Sequence, residues 1–294
     1  MHMKKKLLAF GMAVLMLTGC GSSSGTIRFG AAGLGGTYHM FSDAFAEIIE
    51  SESADCSIEV KTTAVSAANV RLEKDKKYQG YSAVGGFYKE ACQIVVRADS
   101  DIRSVEDLQG KTVSVGEEES GTEKNAEQIL AAYGLSERLV TEVNLDYTDA
   151  VEQLKKKEID AMFCTAGAYT TVIGELAKQC EIRFIDLDEK GIDKLMKSYD
   201  FYTECEIPEN TYVGQTEAVR TVGVKAVLLA SDKLSEKKVK EITEILFENK
   251  AELQYILPTD ISLDESQATE GITIPFHDGA AVYYKEHGIS MNEE

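Results

Sequence analysis

Three short turns in this 294-residue chain carry the residue types that could hold a small anion. The first is Gly33 to Tyr38 (GLGGTY), which follows the apolar pattern of Ile27 and Phe29 and opens a helix at about Thr37. Tyr38, Phe41, Phe45, Ile48 and Ile49 then fall at helical spacing. The second turn is Gly116 to Thr122 (GEEESGT) and the third is Thr165 to Tyr169 (TAGAY). A strand, a turn with little side chain and a helix N-terminus leave N–H groups unpaired around one point. That geometry suits a carboxylate or another anion.

Other chemistries find no support in these residues. Gly33-x-Gly35 is followed by Tyr38 where a dinucleotide fingerprint needs its third glycine, and Glu59 lies inside its strand pattern rather than at the end. There is no Gly-x-Ser-x-Gly elbow, and His2, His39, His277 and His287 are scattered, so a hydrolase has no visible base. Besides Cys20, the cysteines Cys56, Cys92, Cys164, Cys180 and Cys205 lack the short spacing of a zinc site. They read as packing thiols, with a Cys164–Cys180 bridge as the alternative. No catalytic residue, metal or cofactor is expected.

The start of the chain carries an address. Lys4, Lys5 and Lys6 precede an apolar run from Leu7 to Leu17, too short to span a bilayer with normal margins. Leu17-Thr18-Gly19-Cys20 resembles the bacterial lipobox, and Gly21 to Gly25 (GSSSG) reads as a flexible tether. Residues 1–19 are therefore expected to be a signal peptide and residues 20–25 a lipidated cysteine with its tether. The lipid on Cys20 would hold an extracytoplasmic body to the membrane. That body has 28 basic residues against 50 acidic ones, a formal charge of −22, which argues against nucleic acid and against a basic membrane-binding face.

Along the body, strand and helix patterns alternate. Ser57 to Thr62 reads as a strand and Ser66 to Leu72 as a serine-capped helix start. Glu73 to Gln79 (EKDKKYQ) then offers no apolar run, Tyr81 to Tyr88 is interrupted by glycine, and Ala91 to Val96 is the next clear strand. Strands follow at Thr112–Val115, Glu142–Leu145, Ile159–Cys164, Ile182–Leu187, Tyr202–Ile207 and Thr221–Leu229. Between and after them, helical patterns cover Ser104–Leu108, Glu123–Tyr133, Tyr147–Lys157, Tyr169–Lys178, Glu189–Tyr199, Ser235–Tyr255 and Gly279–Lys285. The alternation predicts an α/β fold in two lobes, with parallel sheets covered by helices on both faces. Ligands in such sheets bind beyond the carboxyl ends of strands, which puts the three turns at a cleft between the lobes.

Seven segments together resemble one family: Gly33 to Ile49, Ser66 to Leu72, Gln93 to Gly116, Ser120 to Leu135, Ile159 to Ala177, Ile207 to Ala230 and Ile274 to Gly288. They look like the TAXI group of solute receptors for TRAP transporters. The resemblance implies a type II periplasmic-binding-protein-like clamshell that closes over a small carboxylate or amino acid and hands it to a TRAP permease driven by an ion gradient. Carried over by position, the ligand-facing residues would be Gly35, Gly36, Thr37 and Tyr38, then Ser66 and Asn69. The second lobe would add Ser120, Gly121, Thr122, Ala166, Gly167 and Tyr212. Lobe one would hold residues 26–98 and 221–294, and lobe two residues 99–220, with a hinge near Val96–Ser100 and Arg220–Gly223.

This chain departs from that pattern twice. A strand and helix of the family's first lobe are missing after Leu72, which would leave neighbouring strands unpaired and remove part of the site. The acidic run Glu117-Glu118-Glu119 stands before Ser120 where relatives have small residues or proline. Pointing inward, one of these glutamates would repel a second ligand carboxylate and welcome an amine; pointing outward, the expected case, they add to the acidic surface. The rivals to a transport receptor are a sensing lipoprotein that reports to a signalling partner and a remnant that the deletion has left unable to bind.

Overall fold

The structure, a computed structural model, describes residues 13–19, 26–31, 37–53, 56–62, 80–257, 263–272 and 274–291. In chain order its elements are β1 (Ala13–Gly19), β2 (Thr26–Ala31), α1 (Thr37–Glu52), β3 (Ser57–Thr62) and β4 (Tyr81–Arg97). After a 3-10 turn at Glu106–Leu108 come β5 (Thr112–Ser114), α2 (Gly121–Ala132), β6 (Thr141–Val143), α3 (Tyr147–Lys156) and β7 (Ala161–Ala166). Next are α4 (Thr171–Gln179), β8 (Ile182–Phe184), α5 (Glu189–Ser198), β9 (Thr203–Ile207) and β10 (Val219–Ser231). The chain closes with α6 (Glu236–Glu248), α7 (Lys250–Ile256), α8 (Glu265–Ala268) and α9 (Asp278–Glu286).

Local chemistry accounts for the helix starts. The Ser120 hydroxyl accepts from Glu123 N–H at 3.0 Å, and the Asp146 carboxylate accepts from Asp149 N–H at 2.8 Å. Asp188 and Ser235 cap α5 and α6 in the same way. Lys155 and Lys156 fill the last turn of α3, where the helix dipole favours cations.

β4 and β10 divide the fold into two lobes. They pair antiparallel from Tyr81 with Ser231 to Ala91 with Gly223. Beyond that point β4 takes β7 and β8 as partners, while β10 takes β9. On the first-lobe side the order continues β10–β1–β2–β3, and on the second β4–β7–β5–β6. The main core cluster includes the buried Phe29, Phe41, Phe45, Phe87 and Phe247 of the first lobe, with Phe41 and Phe87 stacked at 5.8 Å, and continues into the second lobe through Val113, Ile129, Leu130 and Phe163. A separate cluster in the second lobe packs Val95, Met162, Ile173, Leu176 and Tyr212.

Four expectations are corrected. The sheets are mixed rather than parallel: β2–β3, β1–β10, β5–β6 and β5–β7 are parallel, whereas β4 runs antiparallel to β10, β7 and β8. The alternation of strand and helix does not reveal the direction in which the strands that link the two lobes run. Tyr81–Tyr88 and Ala91–Val96 are one continuous strand. Packing demands glycine at one of the positions that interrupt the pattern, since a Cβ on Gly85 would lie 2.7 Å from Tyr284 Oη and 3.0 Å from the Phe87 ring. The single long helix expected at Ser235–Tyr255 is two, broken at Asn249.

The fourth correction concerns the expected gap. β1, read in the sequence as part of a removable leader, lies between β2 and β10, so neither neighbour is left unpaired. It runs parallel to β10 (Leu17 beside Ala230) and antiparallel to β2 (Leu17 beside Phe29), and Leu17 is fully buried. Its sequence, AVLMLTG, contains no charge and so can enter the middle of a sheet. Cys20, Ser66 and Asn69 lie outside the described residues.

Candidate functional site

The site is built where β4 passes from one lobe to the other. On this strand Tyr88, Glu90 and Cys92 share a face by the two-residue period, and all three are buried. Glu90 pairs with Val224 of β10, and its neighbour Ala91 pairs with both Gly223 of β10 and Ala166 of β7. The Glu90 carboxyl therefore stands at the seam between the lobes, only 3 % exposed. Burial pushes its pKa up to about 8, offset in part by the Tyr38 hydroxyl beside it.

Three tyrosines converge on this carboxyl. Tyr38 comes from the first turn of α1, Tyr88 from β4 itself and Tyr147 from the first turn of α3. Burial raises the pKa of each, and the nearby Glu90 charge adds to the effect. The Tyr38 and Tyr88 rings meet edge to face at 6.1 Å. Their hydroxyls are buried without a hydrogen-bond partner; Tyr38 lies near Glu90 but makes no bond to it of normal geometry.

Tyr147, in contrast, is fully engaged. Its hydroxyl donates to the Thr165 carbonyl at 3.0 Å, so the Thr122 hydroxyl, 2.7 Å away, is the donor to Tyr147. Asn125 extends this layer, donating to Thr165 Oγ1 at 3.1 Å and accepting from Tyr202 at 2.8 Å. The start of α2 is thereby locked to β7. Within α2 the first N–H groups, those of Gly121 and Thr122, have no acceptor in the helix itself.

The third turn closes the arrangement. Gly167 N–H, just after β7, donates to Thr37 Oγ1 of α1 at 3.1 Å. Gln93 supports the turn from β4, donating to the Gly167 carbonyl at 3.2 Å and to Thr170 Oγ1 at 2.9 Å. Tyr212 donates to Gln93 Oε1 at 2.7 Å and stacks on Phe184 and Tyr169.

Of the residues the sequence singles out, Thr37, Tyr38, Ser120, Gly121, Thr122, Ala166 and Gly167 come together here. Tyr212 belongs to the layer that supports the Gly167 turn, its hydroxyl also accepting from Thr170 N–H at 2.9 Å. Gly35 and Gly36 lie outside the described residues, as do Ser66 and Asn69. Glu118 and Glu119 are exposed, as expected for the acidic run, and Glu117 is half-buried with its pKa raised by burial and by the charge of Asp146. Sequence reasoning missed Glu90, Tyr88, Tyr147, Asn125 and Gln93. One signal for Glu90 was present: an acid flanked by Tyr88 and Cys92 two residues either side, in a stretch otherwise apolar on that face.

The described cysteines are all free thiols, so the Cys164–Cys180 bridge is not formed. Burial pushes the Cys92 thiol up to about 12, which fits inert packing residues. Among the described residues no cluster of His, Cys, Asp or Glu could hold a metal ion, and no helix is long and apolar enough to cross a membrane.

Solved structures of similar trace include a glutathione-import protein of Streptococcus mutans (TM-score 0.48, 13 % identity, covering 79 % of this chain and 93 % of that one). Another is the alkanesulfonate-binding protein SsuA from Xanthomonas axonopodis pv. citri (TM-score 0.47, 15 % identity, covering 80 % of this chain and 78 % of that one). A third is an ancestral arginine-binding protein bound to arginine (TM-score 0.45, 15 % identity, covering 80 % of this chain and 97 % of that one). The family match runs from residue 72 to residue 288 and includes both crossing strands, the α2 turn and the β7 turn. By that match the chain belongs to the NMT1-like family.

Proposed function

We propose that this protein is an extracytoplasmic receptor that binds a small carboxylate or amino acid between its lobes and delivers it to a TRAP-type permease. A lipid anchor on Cys20 would require removal of residues 1–19 and with them β1, so the anchored form and the sheet containing β1 exclude each other. The observation that carries this reading is the meeting of α1, α2 and the β7 turn around Tyr38, Tyr147 and Glu90. Each lobe contributes a helix N-terminus and hydroxyl groups, and neither lobe alone encloses the point between them. Helix N-termini and hydroxyls hold a carboxylate without a buried full positive charge, and the tyrosine rings cover its apolar part. The long strands β4 and β10 allow the lobes to move about the seam, so a ligand touching both favours the closed form by its differential contacts.

The test is a thermal-shift screen of the chain against amino acids and dicarboxylates. A ligand present at about 100 times its Kd stabilises the folded state by ~2.7 kcal/mol, which raises the midpoint visibly. If no member of either series raises the midpoint, the receptor reading fails.

A further inference from the structure

We propose that Glu90, with the hydroxyls of Tyr38 and Tyr88, selects a ligand that carries an ammonium group as well as a carboxylate. The proposal rests on the receptor reading and narrows its ligand class from carboxylates at large to amino acids.

Two buried hydroxyls stand without a hydrogen-bond partner beside a buried acid that no described cation pairs. Glu90 forms no ion pair with a described residue, and the influences on its carboxyl are burial and the neighbouring Tyr38 hydroxyl. The Tyr38 and Tyr88 hydroxyls are buried with no hydrogen-bond partner. Buried acids are ordinarily paired, and buried hydroxyls are ordinarily bonded, because their lost hydration must be replaced. A single ammonium group can satisfy all three, since it offers three donors and a positive charge to one carboxylate and two hydroxyl oxygens. A ligand carboxylate placed beside Glu90 would instead meet a like charge, or require the acid to stay protonated. The start of α2, whose first N–H groups have no acceptor within the helix, is the better address for the carboxylate end.

The burial of Glu90 gives this contact a signature. In the empty protein Glu90 is mostly protonated at neutral pH, because burial holds its pKa at about 8. An ammonium group beside it lowers that value, so binding expels close to one proton to the solvent. A ligand without the amine leaves that proton in place.

The experiment is isothermal titration of the chain at pH 7 with amino acids, and with the 2-hydroxy and 2-oxo acids that differ from each only at the amine. Titrations are repeated in two buffers of different ionisation enthalpy to count protons released. The expected result is an amino acid that binds with release of close to one proton, and hydroxy and oxo counterparts that bind at least roughly 30-fold more weakly. Glu90→Gln should weaken the amino acid by a similar factor and abolish the proton release. Hydroxy or oxo acids that bind as tightly as the amino acid, or binding without proton release, overturn the assignment while leaving the receptor reading intact. Binding by neither series overturns both. The comparison of ligands on the unmodified chain needs no variant, so it decides the matter even if Glu90→Gln fails to fold.

Discussion

The backbone N–H of Gly167 donates to the hydroxyl oxygen of Thr37 at 3.1 Å, a buried hydrogen bond between residues 130 positions apart that joins the second lobe to the first turn of α1. It ties the lobes together at the point where a ligand would be enclosed. Thr37→Val keeps the shape of the side chain and removes the acceptor, leaving a buried N–H unpaired at a cost of about 1–3 kcal/mol. Thr37→Ser restores the oxygen and should recover most of that loss. Urea unfolding of the three proteins checks the order; equal stability of the valine variant would show that the lobes do not depend on this bond.

Gly116 combines a left-handed backbone, φ +98°, with a closed environment: a Cβ there would lie 2.8 Å from Thr122 Cβ and 3.0 Å from Ser120 Oγ. Gly110 is left-handed too, at φ +76°, but has open space around it. Gly116→Ala should therefore cost about 1–3 kcal/mol for its backbone and more for displacing the start of α2, while Gly110→Ala pays the backbone cost alone. Comparing the two by denaturant unfolding isolates the contact. Equal losses would show that the α2 turn can give way.

Glu90 makes stability depend on pH with a defined sign. Folded, its carboxyl keeps its proton up to about pH 8; in the unfolded chain a glutamate loses it near ~4.3. Between these values the folded state binds more protons, so stability falls as pH rises, by at most ~1.4 kcal/mol per pH unit for this one group, and levels off above about 8. The titratable groups that face it are Tyr38 on α1, Tyr88 and Cys92 on β4, Tyr147 on α3 and Cys164 on β7. All have their pKa raised and stay neutral over that window, so they do not mask the slope. Glu90→Gln should remove it and be the more stable protein at pH 8. Parallel pH profiles of the two proteins would refute this assignment.

β1 ties the N-terminal apolar segment to the stability of the sheet. Leu17 is fully buried between β2 and β10, so Leu17→Ala should cost about 2–5 kcal/mol if the strand is part of the folded protein. A chain that begins at Cys20 would expose the facing edges of β2 and β10 and should unfold at lower temperature or self-associate through them, as unpaired edges do. Calorimetry and size-exclusion chromatography of the two proteins give the answer. A leader that is merely appended would leave both proteins as stable and as monodisperse as the full chain.

Much of this protein is legible in its sequence because the signals are local. Apolar spacing marks α1 from Thr37, and the glycine and small-residue turns mark the places where the chain passes from strand to helix. The acidic run at Glu118 and Glu119 reads correctly as surface, since a loop of consecutive charges has nowhere else to go. The sequence alone thus determined an α/β chain with three anion-friendly turns and no visible catalytic set. Only the tertiary structure decided which acid faces the site. Glu90 is one residue in a long strand, and its environment is made by Tyr38, Tyr147 and Cys164, which lie far away along the chain and share no pattern with it. Tertiary structure also decided that Ala13–Gly19 lies between β2 and β10, because strand pairing satisfies backbone groups without regard to sequence distance and one uncharged apolar strand can take the place of another.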